Sequence, residues 1–154
     1  MPVVLLDEPG GTYWQDFHKF IDRHLLGQAM ISPVDFSLYK VCDSIDATVD
    51  EIMHFYRVFH SMRFVRKQLV FRLQRRLSGA VIQEINADFA DLLAKGEFVQ
   101  REALKEEADE FRLAELPRLA FHFNRRNYGR LRQLIDVINA SDSPAIEEST
   151  ASKL

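Results

Sequence analysis

The first 60 residues alternate between short apolar runs and longer stretches in which apolar residues recur every three or four positions. Residues 3–6 are all apolar, which predicts a strand covered on both faces, as in a parallel sheet. Residues 9–11 read Pro-Gly-Gly and predict a turn, because glycine adopts positive φ freely. A helix is predicted from Tyr13, with Gly27 where its C-terminal cap belongs. The apolar stripe of this helix is Trp14, Phe17, Phe20, Ile21, His24 and Leu25.

A second strand and a second helix follow. Ser32 before Pro33 predicts a short helical turn, with Ser32 as N-cap and Pro33 at the first helical position. Residues 38–41 predict the second strand, and residues 45–59 predict the second helix. The order β-α-β-α, with parallel strands joined by a helix, is the right-handed crossover unit of doubly wound, Rossmann-like sheets. The stripe of the second helix is Val49, Ile52, Met53, Tyr56 and Phe59.

The pattern after residue 62 is typical of a small α+β domain, in which one sheet is backed by two helices. Alternating apolar residues predict its strands, and spacings of three and four predict its helices. The expected elements are a strand at 69–73, a helix to residue 94 with Ser78 as N-cap and Gly96 ending it, a strand at 98–104, an acid-rich loop or short helix at 105–116, a strand at 119–123 and a helix at 130–139.

These patterns predict an α/β fold class, with a β-α-β-α part of a Rossmann-like parallel sheet followed by a small α+β domain. The predicted domains are residues 1–62 and 63–140, and the polar tail at 141–154 is expected to be disordered. Two strands and two helices leave much of the apolar surface of the first domain exposed, which is unusual on a monomer. Either the second half of the chain or a second subunit covers that surface, or the chain is the C-terminal part of a longer protein. We expect the last of these.

The segments VVLLDEPGGTYW, FIDRHLL, ISPVDFSLYKVCDS and DATVDEIMHFY carry a family resemblance. In this order they resemble the last β-α-β-α section of the LOG ("lonely guy") family, Rossmann-like nucleotide phosphoribohydrolases formerly labelled lysine decarboxylases. The likeness covers residues 2–60, and the I-S-P-x-D turn is its most specific motif. Two later segments, HSMRFVRKQLVFRLQRRLS and LPRLAFHFNRRNYGRLRQLI, look similar to the C-terminal extension of a longer bacterial branch of that family.

The resemblance implies hydrolysis of the N-glycosidic bond of a nucleoside 5′-monophosphate, such as AMP or a cytokinin ribotide, to a free base and ribose 5-phosphate. The working parts of the family are a GGG-x-x-G-x-M turn, a catalytic arginine and a PGG-x-GT-x-x-E segment whose glutamate assists departure of the base. None of these is present, because Pro9-Gly10-Gly11-Thr12 continues with Tyr-Trp-Gln. We therefore expect the chain alone to be inactive, without a catalytic residue or cofactor of its own.

The turn before the first helix supplies the candidate substrate-binding residues, which are Gly10, Gly11, Thr12 and Tyr13. Backbone amides at a helix start attract anions, so the turn is expected to lie at the edge of the nucleotide site of the complete enzyme. Thr12 acting as a helix N-cap explains the turn equally well. The alternative function is a non-catalytic binding or assembly module that completes its sheet with a partner, and a homodimer or a partner chain is expected in either case.

Composition limits the other partners. The formal charge of −3 does not indicate a nucleic-acid or membrane binder, and no apolar run approaches the ~20 residues that span a bilayer. Residues 63–76 carry six basic residues and no acid, which raises an RNA-binding alternative, but residues 97–115 hold seven acids that can neutralise arginines within the fold. Cys42 is the single cysteine, and no metal-ligand spacing occurs, so we expect a cytoplasmic protein without a metal site.

Overall fold

The computed structural model describes residues 1–141, which form a mixed α/β fold with two separate sheets. A parallel sheet has two strands, β1 (Val4–Leu6) and β2 (Lys40–Cys42), and an antiparallel sheet has four. The predicted fold class, a β-α-β-α unit followed by a small α+β unit, is confirmed. The predicted tail from residue 142 onward lies outside the described residues.

The parallel unit follows the predicted order of elements. After β1 come helix α1 (Tyr13–Ile21), a π-helical turn (Asp22–Leu26), a 3-10 helix (Pro33–Leu38), β2 and helix α2 (Ile45–Phe55). Ser32 is the N-cap of the 3-10 helix, as predicted, and its amide donates to the Asp35 carboxylate at 2.8 Å. Ser44 caps α2, because its side-chain oxygen accepts from the Ala47 amide at 3.3 Å.

Helix α2 ends at Phe55, four residues earlier than predicted. The helical spacing of apolar residues continues to Phe59, but Phe59 is the first residue of strand β3 (Phe59–Val65). The buried side chain of Asn139 holds the chain at this change of direction. Its Oδ1 accepts from the amides of Val58 and Phe59, both at 2.9 Å, and its Nδ2 donates to the Phe55 carbonyl at 2.6 Å.

The antiparallel sheet is covered on one face by two helices, α3 (Gly79–Asp88) and α4 (Tyr128–Ala140). Phenylalanine rings dominate the core between these layers. The rings of Phe59 and Phe71 lie 5.1 Å apart and those of Phe71 and Phe121 lie 5.3 Å apart, both nearly perpendicular, which is a favourable aromatic geometry. The remaining strands are β4 (Gln68–Leu73), β5 (Leu93–Arg101) and β6 (Arg118–Phe123), and the spatial order is β3-β4-β6-β5.

Three predictions for the second half were wrong in detail. Strand β3 was not predicted, so the element order is β-β-α-β-β-α rather than β-α-β-β-α. Helix α3 ends at Asp88, and β5 already begins at Leu93. Gly96 therefore does not end a helix. It lies inside β5 with φ of 71°, at a point where the pairing with β6 is irregular. Glycine supplies the positive φ that the bulged strand needs there. Strand β3 also runs across the domain boundary predicted after residue 62, and that division stays a prediction.

Helix α4 joins the two sheets through a close backbone contact. Gly129, in its first turn, is buried against the 3-10 helix of the parallel unit. A Cβ atom at Gly129 would lie 2.2 Å from the Val34 carbonyl oxygen and 2.6 Å from its carbon. One turn further along, the side-chain amide of Gln133 donates to the Ser37 hydroxyl at 3.2 Å. A glycine is therefore required at position 129 for the two parts to pack.

Part of the second face of the antiparallel sheet is covered by the acid-rich segment 102–115, which we call the acidic strap. It contains two 3-10 turns, Lys105–Glu107 and Phe111–Leu113. Arg72 and Arg118 lie directly opposite each other on β4 and β6, and the fully buried Glu107 side chain binds both. Its carboxylate accepts from Arg72 Nε at 2.9 Å and from Arg118 Nε at 3.1 Å. The strap thus supplies the negative charge that allows two neighbouring arginines to be buried.

The surroundings of Glu107 keep it ionised. Burial by itself raises the pKa of Glu107, but hydrogen bonds from Arg118, the Leu104 amide and Arg72 outweigh burial, so the pKa is lowered from its ordinary value of 4.5. A lowered pKa in the folded state means that ionised Glu107 stabilises the fold above pH 4.5. This stabilisation is lost as the pH falls through the folded-state pKa.

The contact at Gly129 predicts that Gly129→Ala lowers the free energy of unfolding by about 1–3 kcal/mol, because the new methyl group overlaps the Val34 carbonyl. Gly79→Ala is the matched control, since a Cβ there meets nothing within 4 Å. The control should be neutral or more stable by about 0.4–1 kcal/mol. Urea unfolding of both variants measures the difference, and equal stabilities would contradict the proposed close packing.

The buried position of Glu107 predicts that Glu107→Gln costs about 3–5 kcal/mol at pH 7, because the buried guanidinium of Arg118 loses its carboxylate partner and Arg72 keeps only Glu110. Glu102→Gln removes an exposed partner of Arg76 and should cost less than about 1 kcal/mol. The stability difference between wild type and Glu107→Gln should shrink as the pH is lowered below 4.5. Chemical denaturation from pH 7 to acid tests this, and a difference that does not change with pH would refute it.

Candidate functional site

The predicted substrate-binding turn connects β1 to α1, and its helix start is occupied by the chain's own Asp7. Asp7 Oδ2 accepts from the Trp14 amide at 3.2 Å, and Oδ1 accepts from the Glu8 amide at the same distance. The Thr12 hydroxyl makes no cap hydrogen bond and instead donates to Asp16 at 3.0 Å. Asp7, rather than Thr12, therefore supplies the side-chain cap of α1.

Local backbone geometry explains why both positions 10 and 11 of this turn are glycine. Gly10 has φ of 78°, a conformation that other residues rarely adopt. A Cβ atom on Gly11 would lie 2.5 Å from the Asp7 Oδ1 atom. Nucleotide binding at Gly10, Gly11, Thr12 and Tyr13 stays a prediction. A phosphate at this turn would have to lie beside the Asp7 carboxylate, which opposes an anion.

Helix α1 exposes an apolar stripe. Tyr13, Phe17 and Phe20 follow each other at helical spacings and are 69%, 41% and 55% exposed, and no residue of the helix is buried. We call these three residues the α1 stripe. Trp14, one position away, turns toward the sheet, and its indole nitrogen donates to the Leu6 carbonyl at 3.1 Å. The helix is thus attached to β1 by one side while its aromatic side faces solvent.

Helix α2 exposes a second stripe. Ile45, Val49, Met53 and Tyr56 recur every three or four residues, and all four are exposed; we call them the α2 stripe. Only Glu51 and Phe55 of this helix are buried. Within residues 1–141, β1 pairs with β2 alone, so the parallel sheet has only two strands of three residues. The predicted stripes agree with these in part, at Phe17 and Phe20 of α1 and at Val49, Met53 and Tyr56 near α2. Trp14 contacts β1 and Phe59 is buried in β3, contrary to the prediction. The antiparallel half of the chain does not cover the exposed residues.

A charged cleft of about 310 Å³ lies between the parallel unit and α4. The nearly buried Glu51 accepts from Lys40 of β2 at 2.8 Å and from Arg132 of α4 at 2.6 Å. Arg132 also donates to Asp136 at 2.9 Å. Every charge in this set has a partner, so the cluster links β2, α2 and α4 rather than presenting an unpaired acid or base.

The two acids of the cleft differ in protonation behaviour. Burial alone raises the pKa of Glu51, but hydrogen bonds from Lys40 and Arg132 outweigh burial and leave the pKa below its ordinary value. Burial raises the pKa of Asp136, and its bond to Arg132 only partly offsets this effect. This cleft could not be predicted from the sequence, because its residues come from positions as far apart as 40 and 132 and carry no local motif.

An apolar cavity of about 350 Å³ lies between α1 and β2. A hydrogen bond of 2.8 Å between His18 Nδ1 and the Tyr39 hydroxyl forms its polar edge. Burial raises the pKa of Tyr39, so its hydroxyl stays protonated near neutral pH. The ammonium groups of the two lysines of this cavity are paired with acids, Lys19 with Asp16 and Lys40 with Glu51. The cavity continues the exposed surface of the parallel unit.

Besides Arg132, six arginines of the second half are paired with acids, as the sequence predicted. The acidic strap supplies most of the partners, which confirms that its acids neutralise arginines within the fold. The pairs are Arg63 with Asp109 and Glu110, Arg66 with Glu106, Arg72 with Glu107 and Glu110, Arg76 with Glu102, and Arg118 with Glu107. On α4, Arg130 pairs with Asp91.

The described residues 1–141 contain neither a metal site nor a membrane-spanning helix. No group of three or more His, Cys, Asp or Glu side chains in this range is arranged to hold a metal ion. No helix in this range has the length and hydrophobicity needed to cross a bilayer. Comparison with known protein families, with curated proteins and with solved structures finds no match to this chain.

Proposed function

We propose that this chain is the C-terminal part of a LOG-like nucleoside 5′-monophosphate phosphoribohydrolase and completes the sheet of that enzyme. The observation that carries the proposal is the pair of exposed apolar stripes beside a parallel sheet of only two strands. The sequence resemblance over residues 2–60 supports the remaining parallel strands of a Rossmann-like domain as the partner surface. In this role the chain contributes assembly surface and contributes no catalytic residue.

The geometry of the parallel unit supports an additional layer of structure. Parallel sheets occur with several strands and with both faces covered by helices. Here Val3 and Leu6 of the β1 region remain 49% and 39% exposed, and the α1 and α2 stripes add seven exposed apolar side chains. Further parallel strands beside β1, with their own helices, would cover these groups. Apolar burial of this kind contributes about 25 cal/mol per Å².

The nucleotide site of such an enzyme would be completed by the partner structure. Ligands of doubly wound sheets bind beyond the carboxyl ends of the strands, where the turn at residues 10–13 follows β1. In this proposal Gly10, Gly11, Thr12 and Tyr13 line only the edge of the site. The glycine-rich turn, the arginine and the glutamate come from the remainder of the domain. A cytoplasmic location belongs to the same proposal and agrees with the single, buried cysteine Cys42.

The second candidate is a non-catalytic assembly module that pairs with a second copy of itself or with another chain. The same exposed stripes favour it, since they fit any apolar partner surface. The two candidates differ in one respect, because only the LOG-like proposal requires that the partner carries parallel strands and a nucleotide site.

The exposed stripes predict self-association and binding of an apolar dye. The molar mass measured by light scattering should rise over about a hundredfold range of protein concentration, as mass action requires. The double variant Phe17→Ser/Phe20→Ser should reduce both the association and the dye fluorescence. Phe111→Ser is the matched control, because Phe111 is 73% exposed but belongs to the acidic strap. A monomer without dye binding would contradict both candidates.

The activity prediction separates the candidates. The chain alone should release no adenine or ribose 5-phosphate from AMP. Mixed with a LOG protein truncated before its own last β-α-β-α section, it should restore release, and Phe17→Ser/Phe20→Ser should weaken the restoration while Phe111→Ser leaves it unchanged. Robust hydrolysis by the chain alone would overturn the LOG-like proposal. Self-association without any restored hydrolysis would favour the assembly module.

A further inference from the structure

The outer face of the antiparallel sheet, opposite α3 and α4, carries basic residues on every strand. Arg72, Arg118 and Arg101 lie side by side on β4, β6 and β5. His122 and Lys95 are register partners further along β6 and β5. None of the acids that pair with this face comes from the strands themselves; they come from the acidic strap. The face is therefore neutralised where the strap covers it and stays positively charged where the strap does not.

The strap neutralises only one end of this face. Glu107 and Glu110 bind Arg72, and Glu110 and Asp109 bind Arg63. Leu104 of the strap packs on the small apolar cluster of Val65, Val70 and Ala120 at the middle of the face. On the hairpin side of Leu104, the only acid that the strap supplies is Glu106, and it pairs with the exposed guanidinium of Arg66.

The uncovered end of the face forms a cavity of about 420 Å³ at the β3–β4 hairpin. It is lined by Val65, Arg66, Lys67, Gln68, Leu104, Glu106 and His122. Lys67 has no carboxylate partner within residues 1–141, and neither does Lys95, the register partner of His122 on β5. The cavity therefore combines two apolar walls, Val65 and Leu104, with an excess of positive charge.

The orientation of His122 adds a second polar group. Its Nδ1 lies 3.2 Å from the Lys67 carbonyl oxygen. Because a carbonyl oxygen only accepts, Nδ1 carries the hydrogen and donates. Nε2 is then available to a ligand. It accepts a hydrogen bond from a phosphate hydroxyl or, when the ring is protonated, donates one to a phosphate oxygen.

We propose that this cavity is a binding site for a small phosphomonoester, with Lys67 and His122 holding the phosphate and Val65 and Leu104 contacting the attached carbon chain or sugar. A charge-assisted hydrogen bond from the lysine ammonium suits a phosphate oxygen, and Nε2 of His122 adds a hydrogen bond to the phosphate group. Glu106 lines the cavity, and the other acids of the strap lie further along the same face. These acids repel a long polyanion, so the site fits a compact ligand better than a nucleic acid. The site is separate from the surface in the proposed assembly, because it lies on the antiparallel sheet.

The test uses the complete chain and two probes, inorganic phosphate and glycerol 3-phosphate, titrated at constant ionic strength against chloride and against glycerol. Amide chemical shifts measured by NMR should change saturably for residues 65–68 and 122, and glycerol 3-phosphate should bind more tightly than phosphate because it also contacts the apolar walls. Lys67→Gln and His122→Gln should each weaken binding about tenfold, as loss of one charge-assisted contact implies. Lys19→Gln removes the same charge from α1 and should leave binding unchanged.

The outcomes separate the site from general charge effects. Loss of binding in both cavity variants with unchanged spectra elsewhere supports the proposal. Wild-type shifts no larger than those with chloride overturn it, and so do shifts that persist in both cavity variants. Shifts that spread over all exposed basic residues, with equal loss in Lys19→Gln, also overturn it and indicate non-specific screening. None of these outcomes depends on AMP hydrolysis or on self-association.

Discussion

Contact between helix α4 and the parallel unit is the constraint on which the rest of this structure depends. Gly129 places the helix backbone directly against the Val34 carbonyl, where no side chain fits. Nearly three turns along the same helix, Asn139 satisfies the backbone at the junction of α2 and β3. Between them, Arg132 reaches the buried Glu51. One helix thus covers the antiparallel core and fixes the parallel unit beside it.

Buried charge organises the opposite face of the antiparallel sheet. Arg72 and Arg118 face each other on neighbouring strands, and Glu107 makes this arrangement stable by binding both. The acidic strap is therefore a structural layer that replaces a hydrophobic one. Because it covers only part of the sheet, it leaves Lys67 and His122 at the hairpin without an acidic partner in the described chain. The acidic strap thus stabilises the fold and, in our proposal, also determines which part of the sheet can bind an anionic ligand.

The two halves of the chain differ in how completely their own residues cover their apolar surfaces. The antiparallel half closes its core with phenylalanine rings and with α3 and α4. The parallel half keeps the α1 and α2 stripes exposed, although its turns and caps are fully formed. The exposed apolar surface is therefore concentrated in the parallel half. The Pro-Gly-Gly turn is explained by local structure, since Gly10 supplies a positive φ and Gly11 admits the Asp7 cap.

The sequence by itself determined the β-α-β-α order, the Ser32 turn and the pairing of arginines with the acidic strap, because local spacing and composition carry these features. It missed strand β3, since the helical spacing of α2 continues to Phe59 and only Asn139, eighty residues away, ends the helix at Phe55. The Glu51 cleft and the hairpin cavity were also invisible, because each is built from side chains distant in sequence. Long-range packing alone decides which polar groups meet, and no local pattern encodes it.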